Sequence, residues 1–224
     1  MRLLFSLALL LALSLPTNAQ QFSFIHHSIE DGLAQSQVRA IAQDHQGYLW
    51  FATMGGVSRF DGTRFYNYST EQGLVDNQIN CIYTAANQDI WFGCAGGISR
   101  FNGMEFVSFP FPAESEHFMV VDMEEIGDGE FLLATNGAGL MKFSASTGSF
   151  SNAAAFRNDV VIRKILRTES GDLIVGARSG LYRMISSDLT QKVKILENHY
   201  KKEKLKSVNY KFKFTDHFLV CLGK

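Results

Sequence analysis

Gly47-Tyr48-Leu49-Trp50-Phe51-Ala52-Thr53-Met54-Gly55-Gly56-Val57-Ser58-Arg59-Phe60-Asp61-Gly62 returns 41 residues later as Gln88-Asp89-Ile90-Trp91-Phe92-Gly93-Cys94-Ala95-Gly96-Gly97-Ile98-Ser99-Arg100-Phe101-Asn102-Gly103. An internal repeat of this length is the first thing to establish, because it dictates the architecture. The same offset maps Gly32-Leu33 onto Gly73-Leu74 and Gln37-Val38 onto Gln78-Ile79. Two decayed copies follow, Gly129 to Thr135 with Gly139 to Phe143, and Gly171 to Gly176 with Gly180 to Arg183.

Each copy reads as four short strands. In the first, Gln37 to Gln43 is an inner strand and Asp44 to Gly47 a turn. Tyr48 to Thr53 is apolar on both faces, as a strand covered on both sides must be. Gly55-Gly56 permits the positive φ of a tight turn before Val57 to Phe60. Asp61-Gly62, like Asn102-Gly103, signals a two-residue hairpin, and Arg64 to Tyr68 alternates as an outer strand. One such sheet cannot bury two apolar faces, whereas sheets stacked around an axis can. A period of ~40–45 residues with an aromatic in each unit is the mark of a β-propeller. The expected fold is therefore all-β: about four four-stranded antiparallel blades, spanning approximately 32–72, 73–113, 114–156 and 157–200, and a partial fifth over 201–224.

Both ends of the pattern are informative. Phe24 to Gly32 aligns with Phe65 to Gly73, so residues 22–28 are expected to act as an outer strand that pairs with the final blade and closes the ring. Ser207 to Phe214 and His217 to Leu222 read as the first two strands of a further blade, which points to the front part of a longer, closed ring. The first residues have a different character. Arg2 precedes the apolar run Leu3 to Leu13, Pro16 breaks it, and Thr17-Asn18-Ala19 supplies a cut site. Residues 1–19 are expected to be a signal peptide cleaved after Ala19, which exports a periplasmic or otherwise extracytoplasmic chain. The run is too short for a membrane span, and nothing later approaches one.

Composition narrows the function. The 224 residues are 46% hydrophobic and 12% aromatic, with a net charge of −1. A core of good size is available, and there is no electrostatic case for nucleic acid. Three cysteines, Cys81, Cys94 and Cys221, do not make a disulfide framework. Cys81 and Cys94 read as small buried fillers, with a bridge between them left open.

The motif of Ser36-Gln37-Val38, Asp44, Gly47 to Thr53 and Gly55 to Gly62 resembles the two-component regulator propeller repeat, and Ile29-Glu30-Asp31-Gly32-Leu33 resembles the start of such sensors. The resemblance is strong over 24–110 and weaker over 117–185. It implies an extracytoplasmic sensor region of a bacterial receptor. In that family further repeats, a β-sandwich, a membrane helix and a kinase or cyclase output module accompany the propeller. No kinase or cyclase sequence is present here, so the chain is expected not to be an enzyme. The implied ligand is an unknown small molecule or saccharide. The implied partners are a second copy of the chain or a downstream membrane signalling module. A propeller enzyme of the lyase or dehydrogenase type and an interaction scaffold are the alternatives.

Individual residues support recognition over catalysis. Trp50 and Trp91 sit at equivalent points of apolar strands and read as blade core. His26 and His27, adjacent on a strand, point to opposite faces and cannot share a metal. His45, His117, His199 and His217 lack ligand spacing. Glu124, Glu125, Asp128 and Glu130 form an acidic cluster without calcium-loop spacing, and Gly127-Asp128-Gly129 fits a hairpin. Lys201, Lys202, Lys204, Lys206, Lys211 and Lys213 read as a solvated stretch. Catalytic, cofactor-binding and metal-binding residues are each expected to be none, and the ligand-binding residues are unknown.

Overall fold

A computed structural model describes residues 24–112, 118–156, 158–185, 189, 191–197, 211–215 and 218–222. The leader with its cut site, Lys201 to Lys206, and His117, His199 and His217 lie outside them. Blade 1 contains β1 (Val38–Gln43), β2 (Leu49–Thr53), β3 (Gly56–Phe60) and β4 (Phe65–Tyr68). Blade 2 contains β5 (Ile79–Thr84), β6 (Ile90–Cys94), β7 (Gly97–Phe101) and β8 (Phe106–Pro110). Blade 3 contains β9 (Met119–Gly127), β10 (Glu130–Asn136), β11 (Leu140–Ser144) and β12 (Ser149–Asn152). Blade 4 contains β13 (Ile162–Arg167), β14 (Leu173–Ala177), β15 (Gly180–Met184) and β16 (Lys192–Glu197). Within each blade the strands pair antiparallel in chain order, and β17 (Lys211–Thr215) pairs with β18 (Phe218–Leu222) in a separate two-stranded sheet. The fold is a partial propeller of four four-stranded blades, as the repeat predicts.

The apolar second strands are the reason the blades stack. Side chains alternate between the two faces of a strand, so neighbours in sequence serve different seams. Ile90 and Phe92 join Trp50, Val57, Ile79 and Phe101 between blades 1 and 2. Trp91, between them in sequence, joins Phe131, Leu133 and Phe143 between blades 2 and 3. Leu132 and Ala134 then join Ile162, Val175 and Tyr182 between blades 3 and 4. Trp50 and Trp91 are 0% and 2% exposed, which removes them from any carbohydrate-stacking role. Burying such a ring stabilises by roughly 2–3 kcal/mol.

Polar groups fix the register between blades. In blades 1, 2 and 3 the turn after the second strand donates to the loop leading into the next blade. Gly56 N–H bonds Asn77 O at 2.8 Å, Gly96 N–H bonds Phe118 O at 2.9 Å, and Gly137 N–H bonds Val160 O at 2.7 Å. These turns need glycine. A Cβ on Gly56 would collide with the Tyr68 carbonyl, and one on Gly97 with the Phe109 carbonyl. The lead-in loops repeat as well. Ser28 and Ser69 each cap a short 3₁₀ turn (Ile29–Asp31 and Thr70–Gln72) that ends at Gly32 or Gly73. Ser58 and Ser99 then accept the N–H groups of Ala34 and Val75, both at 2.9 Å.

Residues 24–28 lead into blade 1; the final blade that residues 22–28 are expected to complete lies outside the described residues. The anchor of residues 24–28 is aromatic: the His27 ring lies 5.0 Å from Phe60 and 5.5 Å from Phe65. Two details differ from the sequence reading. The Asp61-Gly62 turn closes through Asp61 N–H to Arg64 O at 3.2 Å, and the Asp61 carboxylate accepts Thr63 and Arg64 N–H, both at 2.8 Å. The turn centre is therefore Gly62-Thr63, with Asp61 as the strand-end residue that satisfies it. Of the doublet Gly55-Gly56, only Gly56 takes a positive φ, 115°.

Candidate functional site

The first strands of successive blades pack side by side and form the axial wall. Each carries an extra residue at the same register: Arg39 in β1, Asn80 in β5, Val121 in β9 and Arg163 in β13. A bulge re-aims a side chain and bends its strand, and bulges concentrate at rims and near functional sites. Here they lie toward the end of the blades that carries the lead-in loops and the glycine turns. Arg39 is exposed, and its Nη1 donates to Asn80 Oδ1 at 2.6 Å while Nη2 approaches Met54 Sδ at 3.4 Å. Gln78 Nε2 approaches Met119 Sδ at 3.3 Å, one repeat further on. Asn80 Nδ2 is buried with no hydrogen-bond partner. Arg163 and Arg178 are exposed on the same end of blade 4. This mouth therefore presents cationic groups beside two thioethers, with the Asn80 amide buried behind Arg39, which suits recognition of an acceptor-rich ligand.

Just inside the wall, Asp122 is 8% exposed and joins blades 3 and 4. Its carboxylate accepts Ile165 N–H at 2.7 Å and the Lys164 ammonium at 2.9 Å. Burial pushes its pKa up, and the bonds from Ile165 and Lys164 oppose that without reversing it. The acidic cluster near Gly127 is distributed among structural roles. Glu124 pairs with Arg167 at 2.8 Å, Glu125 accepts Ala86 N–H at 2.9 Å, and Glu130 pairs with Lys142 at 2.7 Å. Asp128 and Gly129 are the two residues of the β9–β10 hairpin.

The cysteines and histidines singled out in the sequence are placed as follows. Cys81 and Cys94 are buried free thiols, facing Gly93 and Ile79 across the β5–β6 pair. Burial raises the Cys94 pKa to about 12 and drives that of Cys81 well above its usual value, so neither is a ready nucleophile. His26 is exposed and His27 is committed to aromatic packing. Among the described residues no group of three or more His, Cys, Asp or Glu is placed to hold a metal. No described helix is long and apolar enough to cross a membrane. The axial bulges were missed in the sequence, because an unpaired residue is a property of two strands together. The only trace was Arg39 and Asn80 standing one repeat apart beside the matched Val38 and Ile79.

The two component regulator propeller family profile matches residues 32–55 and 73–96. Among solved structures, the extracellular domain of a putative hybrid two component system from B. thetaiotaomicron superposes with a TM-score of 0.64 at 24% identity, over 76% of this chain and 23% of that one. A second such domain from the same organism gives 0.63 at 24% identity, over 77% and 26%. Virginiamycin B lyase from Staphylococcus aureus gives 0.54 at 15% identity, over 70% and 55%. No curated protein sequence matches. The chain spans about a quarter of the length of the sensor structures it matches.

Proposed function

We propose that this chain, which carries two component regulator propeller repeats, is the extracytoplasmic ligand-sensing part of a two-component-type receptor. The observation that carries the reading is the mouth built by the bulged first strands. Arg39, Asn80 and Arg163 stand there on a rigid wall, while the blade faces are consumed by packing. Binding groups on loops and strand ends above a packed scaffold are the usual division of labour in recognition proteins. The ligand is a small molecule or saccharide held by the arginines, and the receptor's output module is a part distinct from this propeller. The leader expected over 1–19 and the likeness to extracellular domains support export.

A thermal-shift screen of saccharides and small organic acids against the exported chain tests the reading. A binder is expected to raise the melting temperature and to lose at least about tenfold in affinity in Arg39→Ala. Binders unaffected by both Arg39→Ala and Arg163→Ala would remove the mouth as the site. N-terminal sequencing of the exported chain checks the cut after Ala19. A lyase is the second reading, because virginiamycin B lyase shares the fold. Reproducible turnover on a lactone or glycan panel would favour it, and binding without turnover favours the sensor.

A further inference from the structure

Blades 2, 3 and 4 each carry a cation on the third strand paired with an acid at the start of the second. The pairs are Arg100 with Asp89 at 3.7 Å, Lys142 with Glu130 at 2.7 Å, and Arg183 with Asp172 at 3.9 Å. Blade 1 keeps the cation, Arg59, but has Tyr48 where the others have their acid. No carboxylate among the described residues lies within ion-pair reach of Arg59; its Nε is buried without a hydrogen-bond partner, as is that of Arg100, so the missing carboxylate is what sets it apart. Aromatic rings surround the guanidinium instead. Its carbon lies 4.8 Å from the centre of Tyr48, 5.4 Å from Tyr66, 5.7 Å from Trp50 and 5.9 Å from Tyr68. Rings hold such an ion through its faces, but its in-plane N–H groups still call for an oxyanion, which a guanidinium matches two bonds at a time.

The cage borders a groove of about 470 Å³ on the outer edge of the blades, away from the axial mouth. Arg59, Tyr68 and Gln72 form one side, and Phe101, Glu105 and Phe106 of the β7–β8 hairpin form the other. Gln72 uses its Oε1 on Ser69 at 2.8 Å and 2.9 Å, which leaves its amide N–H groups as donors. Met104 stands at the rim, 88% exposed.

We propose that this groove binds a ring-borne organic monoanion, its carboxylate or sulfate completing Arg59 as Asp89 completes Arg100, and its ring lying against Tyr68, Phe101 and Phe106. The Glu105 carboxylate in the same wall disfavours a second negative charge on the ligand and accepts hydroxyl groups. The shared chemistry fits an acidic sugar or an aryl acid. Because this site is separate from the axial mouth, it stands or falls independently of that one.

Isothermal titration of the full chain with glucuronate and with benzoate, using glucose as the uncharged control, tests it. At least one of the two anions is expected to bind with a Kd of about 1 mM or tighter. Binding by glucuronate alone assigns the site to acidic sugars, and binding by benzoate assigns it to aryl acids. Arg59→Gln is expected to weaken that binding at least about tenfold while circular dichroism stays unchanged. Tyr48→Asp, which restores the acid found in the other blades, is expected to do the same by occupying Arg59 from within. No binding of either anion, equal binding of glucose and glucuronate, or undiminished binding in Tyr48→Asp would overturn the proposal.

Discussion

Blade 1 and blade 2 share one motif, yet they place the acid that precedes the second strand differently. In blade 1 the acid is Asp44, in the turn before β2. Its Oδ2 accepts Trp50 Nε1–H at 2.8 Å, and its Oδ1 accepts Tyr48 N–H at 2.9 Å and Gln46 N–H at 3.0 Å. In blade 2 that position is Ala85, and the acid is Asp89, facing Arg100. The consequences are reciprocal. Trp91 Nε1 is buried without an acceptor, whereas Arg59 has lost its carboxylate. One repeat has a satisfied tryptophan and an arginine without a carboxylate, and the other an unpartnered tryptophan and an arginine beside a carboxylate, with Nε buried and unpartnered in both arginines. Burying a polar N–H without a partner costs about 1–3 kcal/mol, so blade 2 carries a penalty that blade 1 avoids. The lesson is that repeats with one backbone diverge by relocating a charge, and the relocation is what frees a cation for other use.

The largest test of this contrast is Asp44→Ala. It strips a buried acceptor from three N–H donors and is expected to cost about 3 kcal/mol, read by denaturant melting. A loss below about 0.5 kcal/mol would mean the turn is held by other forces. Next comes the pair Trp50→Phe and Trp91→Phe. Both lose similar area, but only the first breaks a hydrogen bond, so Trp50→Phe is expected to be the more destabilising by about 1–2 kcal/mol. Equal losses would break the comparison.

A smaller effect concerns the same turn. Gly47 takes φ 92°, and its equivalent in blade 2, Gln88, is forced to φ 74°. Gln88→Gly is expected to stabilise by up to about 1 kcal/mol, since relief of strain there outweighs the added freedom of the unfolded chain. A melting temperature lower than that of the parent chain would refute this.

The smallest effect is acid sensitivity. The Asp61 pKa is lowered to about 2, first by the Thr63 hydroxyl and then by the Arg64 and Thr63 N–H groups. A depressed carboxylate lends stability above its unfolded value and loses it as pH falls through its folded value. The window therefore runs from about 4 down to about 2. Asn102 makes the same turn in blade 2, accepting Met104 and Glu105 N–H, both at 3.0 Å, with no proton to take up. Asp61→Asn is expected to flatten part of the pH dependence of melting across that window, and an unchanged profile would show that the turn does not matter there.

What could be read in advance follows from where the physics resides. The strands were legible because Leu49 to Thr53 and Ile90 to Cys94 must fill two seams and so are apolar throughout. Trp50 and Trp91 were legible as core for the same reason. The candidate mouth was not, because Arg39 and Asn80 owe their exposure and aim to a mismatch between paired strands. Nor was the fate of the acidic cluster, since Glu124 meets Arg167 only after blade 4 has docked. Asp44 was visible as part of the motif, but its bond to Trp50 requires the turn to fold back on the strand.

The links between blades also set how the molecule would come apart. Arg39 reaches Asn80 and Gln78 reaches Met119, each across 41 residues, while Lys164 reaches Asp122 across 42. Long-range polar contacts of this kind span one period and stop. Pulled from one end, such a chain loses its attachments in packets, each packet freeing a contour length of about 140 Å. Force on one blade is shared with its immediate neighbours and decays beyond them, as in other stacked repeats. A stack of blades built this way would yield in equal steps, and its step length is written in the spacing of Trp50 and Trp91.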